Sequence, residues 1–144
     1  MVFKEELMEN TYVSPQPVIA TAQTLTAGFV DLGDEIDVKG FTSVGIFLDV
    51  NINDSLDLQI RIIGRTESGG ADDYLLNINS TSFTSAKIRY KTGFLELEND
   101  ADQKIIIEIP TGNLIPFIQL QVKAGTLGAS AGIITKALVS KSWK

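Results

Sequence analysis

Two residue types are missing from this chain of 144 residues: it has no histidine and no cysteine. Histidine-dependent triads and cysteine nucleophiles are thereby excluded. So is any disulfide framework that would report an oxidising compartment, and folding in a reducing cytoplasm is compatible with the composition. No apolar run approaches the roughly 20 residues of a bilayer-spanning helix, and the longest, such as Ser43 to Val50, have strand length. The first ten residues carry Lys4, Glu5, Glu6 and Glu9 without the apolar stretch of a signal peptide. Cations are also scarce, with 12 Lys and Arg against 18 Asp and Glu and a net charge of −6. Phosphate binding needs clustered cations, so no nucleic-acid partner is expected, and no membrane. Lys87, Arg89 and Lys91 alternate, which reads as a solvated strand face that blocks unwanted strand pairing.

The hydrophobic fraction is 44%, enough for a real core. From Thr24 onward apolar residues recur with period two, as in Val44, Ile46, Leu48 and Val50, then Leu56, Leu58, Ile60 and Ile62. The same alternation recurs at Ile105, Ile107 and Ile109, at Ile118, Leu120 and Val122, and at Ile133, Thr135, Ala137 and Val139. One face in and one face out is the signature of antiparallel sheets wetted on one side. Further strands are expected at Phe29 to Leu32, Glu35 to Val38, Tyr74 to Ile78 and Phe94 to Glu98. Turn residues punctuate the runs. Asn51 to Ser55 reads as a hairpin turn, and Lys91-Thr92-Gly93 as a tight turn. The predicted fold is all-β, an antiparallel, jelly-roll-like β-sandwich of about eight to ten strands over 23–144.

Residues 1–22 differ from the rest. Phe3, Leu7 and Met8 sit at helical spacing among charges, and a helix this short is marginal in water unless it docks. Ser14-Pro15-Gln16-Pro17 favours extended chain. The segment reads as an extended N-terminal arm or as a frayed terminus. Trp143, the single tryptophan, stands next to last. A large aromatic there is expected to pack on its own sandwich or on a neighbouring subunit. Val2, Phe3, Leu7, Met8 and Trp143 are therefore the candidate partner-binding residues.

Candidate chemistry is sparse. Ser85 near Lys87, and Lys141 between Ser140 and Ser142, lack a nucleophile-elbow motif. Asp31, Asp34, Glu35, Asp37, Asp49, Asp57 and Glu96 are the carboxylates from which a glycosidase pair would be drawn. They fall in turns or on polar strand faces, where solubility accounts for them. Glu98, Asp100 and Asp102 alternate in one acidic loop and are the one candidate set for Ca²⁺, although the glycine and closing glutamate of an EF-hand loop are missing. No other cofactor is expected, and the chain is not expected to be an enzyme.

The order Asp31-Leu32-Gly33, Ile36-Asp37-Val38, Gly40-Phe41, the strand from Val44 to Val50, Leu56 to Gly64, the loop Arg65 to Gly70, and the closing strands from Ile118 and Ile133 resembles small β-sandwich virion proteins of tailed bacteriophages. The resemblance covers roughly Thr24 to Ser140. It implies a decoration or cement protein on the outer capsid surface, synthesised in the host cytoplasm. It also implies a homo-oligomer, often a trimer, with the major capsid protein as partner. Related sandwiches in tails, baseplates and head fibres imply the alternative of a carbohydrate- or receptor-binding module.

Overall fold

A computed structural model describes residues 12–53, 56–70, 73–75, 88–91, 94–97, 103–111 and 115–143. These residues contain twelve strands and no helix. They are β1 (Tyr12–Pro17), β2 (Gln23–Thr24), β3 (Val30–Asp31), β4 (Ile36–Asp37), β5 (Ser43–Asn51) and β6 (Leu56–Arg65), followed by β7 (Tyr74–Leu75), β8 (Ile88–Lys91), β9 (Phe94–Leu97), β10 (Gln103–Pro110), β11 (Phe117–Thr126) and β12 (Ile133–Ser142). Eight have four residues or more, and the two-residue strands β2, β3, β4 and β7 add to the expected eight to ten.

The strands form two antiparallel sheets. Sheet A runs β1-β12-β5-β10, with β2 also on β12, and sheet B runs β3-β11-β6-β9-β8, with β4 on β11 and β7 on β6. The chain alternates between them: β1 and β2 in A, β3 and β4 in B, β5 in A, β6 to β9 in B, β10 in A, β11 in B, β12 in A. Numbered as eight successive segments, the spatial order is 1-8-3-6 in A and 2-7-4-5 in B. That is a jelly roll, two interleaved Greek keys wrapped into a sandwich.

Alternation drives this wrapping. Val44, Ile46, Leu48 and Val50 of β5 are at most 4% exposed, and Leu58, Ile60 and Ile62 of β6 at most 2%. Both apolar faces belong to one core with Ile107, Ile109, Ile118, Leu120, Val122 and Val139. Each such side chain contributes about 1.5–3 kcal/mol on burial. Because β5 and β6 must bury their faces against each other, they lie in different sheets. The expected hairpin at Asn51 to Ser55 is therefore a crossing between layers. Ile52, on that crossing, is 1% exposed and joins the core. Asn53 adopts a left-handed φ of 52°.

β12 departs from strict alternation as well. Ile134 lies opposite Val50 and Lys136 opposite Asp49, leaving Thr135 as an extra residue. The bulge switches the inward face, so Ile134, Ala137 and Val139 are buried while Thr135 is exposed. In the stretch read as an arm, Tyr12–Pro17 is extended and pairs with β12 as an edge strand of sheet A.

The side of the sandwich where β1 and β2 face β3 and β4 closes through backbone. The Asp34 N–H reaches the Val18 carbonyl at 3.4 Å. Gly33 sits there with φ 70°, and a Cβ added to it would lie 1.9 Å from the Val18 oxygen. Gly33→Ala is expected to destabilise by roughly 2–4 kcal/mol, combining left-handed strain with overpacking. Gly40 has φ 80° with open space around it, so Gly40→Ala should cost only about 1–2 kcal/mol. Urea unfolding of both variants checks the difference, and equal losses would contradict the close approach at Gly33.

Candidate adhesion surfaces

Three surfaces collect the functional residue types: the end where β1 begins and β12 finishes, the outer face of each sheet, and a polar clasp between loops.

At the first, Tyr12 pairs with Ser142, so β1 begins beside Trp143. The Trp143 ring lies 4.9 Å from that of Phe41, tilted by 36°, yet the residue stays 45% exposed. Thr111, 4% exposed, fixes the Phe41 segment: its hydroxyl donates to the Phe41 carbonyl at 2.9 Å and its N–H to the Thr42 carbonyl at 2.8 Å. The Thr42 N–H donates to the Ser142 carbonyl at 2.7 Å. Lys141 Nζ stands 5.4 Å from the Phe41 ring centre and donates to the Asp37 carbonyl at 2.6 Å. Lys39 Nζ lies 4.9 Å above the Phe117 ring. Aromatic rings on a pinned backbone, partly wet and ringed by cations, suit protein contacts. Trp143 thus packs on its own sandwich while presenting an open flank. Val2, Phe3, Leu7 and Met8 lie outside the described residues.

The outer faces differ in kind. On sheet B, side chains are tied strand to strand. Arg61 Nε donates to Gln121 Oε1 at 2.6 Å, Gln121 Nε2 to Asp31 Oδ1 at 2.8 Å, and Gln59 Nε2 to Glu96 Oε2 at 2.9 Å. The Arg61 guanidinium covers the Phe29 ring at 4.3 Å, and Phe94 meets Phe29 edge-on at 6.1 Å. Ile63 and its register partner Gln119 are buried on that face, with Gln119 Nε2 donating to the Gly33 carbonyl at 3.0 Å. Sheet A sets Ile106, 65% exposed, in mid-strand on its outer face, whereas the exposed apolar side chains of sheet B, Tyr74 and Leu75, are on the two-residue strand β7.

The clasp joins the start of β4 to the end of β6. Arg65 Nη1 lies 3.0 Å from Glu35 Oε2 and Arg65 Nε 2.7 Å from Asp73 Oδ1. The Gly69 N–H donates to both Glu35 oxygens, at 3.2 and 3.1 Å. The hydrogen bond from Arg65, then those from Gly69 and Ser68, hold the Glu35 carboxyl below its ordinary 4.5 against the opposing effect of burial. Hydrogen bonds to Asp73 and Glu35 raise the Arg65 pKa.

Four of the other carboxylates weighed for catalysis are likewise engaged. Asp49 pairs with Lys104 at 2.8 Å, Asp37 with Lys39 at 3.6 Å, and Asp31 and Glu96 accept from glutamines. Asp34 and Glu35 border an open cleft of about 240 Å³ between β1 and β4, near Val13 and Val139. Ser140 and Ser142 lie at outward-facing positions of β12, opposite in parity to Lys141, so neither forms a Ser–Lys pair with it. Ser85, Lys87 and the Ca²⁺ candidates Glu98, Asp100 and Asp102 lie outside the described residues. Among those described, no group of three acidic residues is arranged to hold a metal. Sequence reading missed the Glu35–Arg65 clasp and the Phe41–Trp143 contact, because both join residues far apart in the chain without a local motif. No protein-family model matches the chain, and no curated protein matches it.

Glu35 has its carboxyl pKa depressed in the fold, so its contribution to stability is full above pH 4.5 and disappears as pH falls through the lower folded value. Glu35→Gln should lower the melting temperature at pH 7 and flatten its decline below pH 4.5. Thermal scans from neutral to acid pH of both proteins check this, and parallel curves would remove Glu35 as the source.

Proposed function

We propose that this protein is a structural component of a tailed-bacteriophage particle. In this reading it binds the outer capsid surface as a decoration or cement protein that stabilises the head. Its partner is the major capsid protein, and it works as a homo-oligomer, a trimer by the resemblance. One observation carries the reading: Tyr12 is held opposite Ser142, so the apolar N-terminal segment and the half-exposed Trp143 issue from one end of the sandwich. Anchors on both termini then reach a partner together, and each contact adds to the other by effective concentration. The jelly roll supports the reading as a rigid carrier, although a fold of this kind hosts many functions. The acidic balance, a net charge of −6, suits a surface that adheres to protein rather than to nucleic acid.

A second reading is a carbohydrate- or receptor-binding module of a tail, baseplate or head fibre. The open Trp143 flank favours it, since exposed aromatic faces also receive sugar rings. A glycan array separates the two, because specific glycan binding lost in Trp143→Ala would select the second.

The capsid reading is tested on the source particle by electron microscopy and by pelleting the protein with stripped heads. Density for this chain on the shell is expected, and its absence from the shell would defeat the proposal. Trp143→Ala is expected to weaken head binding roughly 30-fold, the loss of about 2 kcal/mol typical of a central aromatic anchor. Removal of residues 1–11 should leave a folded sandwich that binds heads more weakly. Unchanged binding by both variants would contradict end-on anchoring.

A further inference from the structure

The strand register of sheet A assembles an apolar row that the terminal end does not use. Pro17 lies opposite Leu138, Leu138 opposite Phe47, and Phe47 opposite Ile106, so the four cross the outer face side by side. At about 4.8 Å between strands the row is about 14 Å long. Ile106 is 65% exposed, Pro17 is exposed, and Phe47 and Leu138 are partly so. A contiguous exposed apolar patch of this kind marks an interaction site more often than a scattered residue does.

The neighbouring rows identify the occupant. On one side the register sets Lys104, Asp49 and Lys136 in line, a net charge of +1. On the other it sets Glu108, Gly45 and Ser140, a net charge of −1. Lys104, Lys136 and Glu108 are exposed. At Gly45 the Ser140 Oγ and the Phe47 ring close over the position, 2.8 and 3.6 Å from where a Cβ would stand.

We propose that this face pairs with the same face of a second copy about a two-fold axis parallel to the row. Such a rotation lays row on row, Phe47 and Ile106 each meeting their own counterparts. It also turns the Lys104–Asp49–Lys136 row of each subunit onto the Glu108–Gly45–Ser140 row of the other. Lys104 and Glu108 both lie on β10, so Lys104 meets Glu108 of the partner subunit, twice by symmetry. Asp49 comes over Gly45 of the partner subunit, where no charge opposes it, and Lys136 meets the hydroxyl of Ser140 of the partner subunit. A two-fold axis parallel to the strands would instead bring Lys104 against Lys136 of the partner subunit, and like charges disfavour it. Among the described residues, the exposed apolar side chains of sheet B, Tyr74 and Leu75, follow one another on the two-residue strand β7 and form no row across the strands.

This contact goes beyond the proposed capsid role and does not depend on it. It doubles whatever the terminal end builds, giving a dimer from a monomer or a hexamer from a trimer. The face is small, so association is expected at the weak end of the range for protein interfaces.

Sedimentation of the full chain from about 1 μM to about 1 mM tests the pairing. Reversible doubling is expected within that window, and Ile106→Asp should abolish it. Lys104→Glu and Glu108→Lys should each weaken it about tenfold, because an attraction becomes a repulsion at two symmetric places. The double variant K104E/E108K should restore it to within about threefold of the original. All three side-chain changes are at exposed positions, and melting curves confirm that folding is kept. No doubling at any concentration, doubling that survives Ile106→Asp, or a double variant no better than the singles would each overturn the pairing.

Discussion

The structure depends on the seating of β12 between β1 and β5. β12 is the last strand in the chain, yet it occupies the middle of sheet A, paired along its whole length with β5 and on its other edge with β1 and β2. Without it β1 and β2 have no partner in the sheet, and the core loses Ile134, Ala137 and Val139. The approach to this strand is fitted closely. The Leu25 N–H donates to the Gly132 carbonyl at 2.8 Å, and a Cβ on Gly132 would lie 3.0 Å from the Ile52 oxygen. β11 has the corresponding place in sheet B, between β6 and the β3–β4 edge. Both sheets therefore close only when the C-terminal part of the chain arrives. Such non-local pairing puts folding in the slow range of milliseconds to seconds.

That closure also arranges the surfaces. Pairing Tyr12 with Ser142 brings the start of β1 and Trp143 to one end. Threading β5 between β12 and β10 lines up Leu138, Phe47 and Ile106 across the outer face. The two outer faces have different characters because sheet B spends its long polar side chains on one another, as in Arg61–Gln121–Asp31. A two-layered sandwich with an aromatic end and an apolar row on one outer face has surfaces of the kind that the proposed structural role requires.

Alternation in β5, β6 and β11 is legible directly in the sequence, since Val44 to Val50, Leu58 to Ile62 and Ile118 to Val122 bury the expected residues. Which strand partners which is not. Period two states that a strand has an inner face but leaves open whether the next strand lies beside it or across the core, so Asn51 to Ser55 reads as a hairpin and is a crossing. The bulge at Thr135 is equally silent, because the residues on both sides of it satisfy alternation in either parity. Trp143 stands out as an anchor by its size and position, whereas its contact with Phe41 depends on a register set a hundred residues apart. The Glu35–Arg65 clasp is hidden for the same reason.

The most direct test of the central place given to β12 is a chain ending at Gly132, followed by circular dichroism and urea unfolding. Loss of the cooperative transition is the expected result, even though every other strand of both sheets is still present in that chain. A truncated protein that unfolds cooperatively near the full-length midpoint would show that sheet A holds without its central strand, and would contradict it.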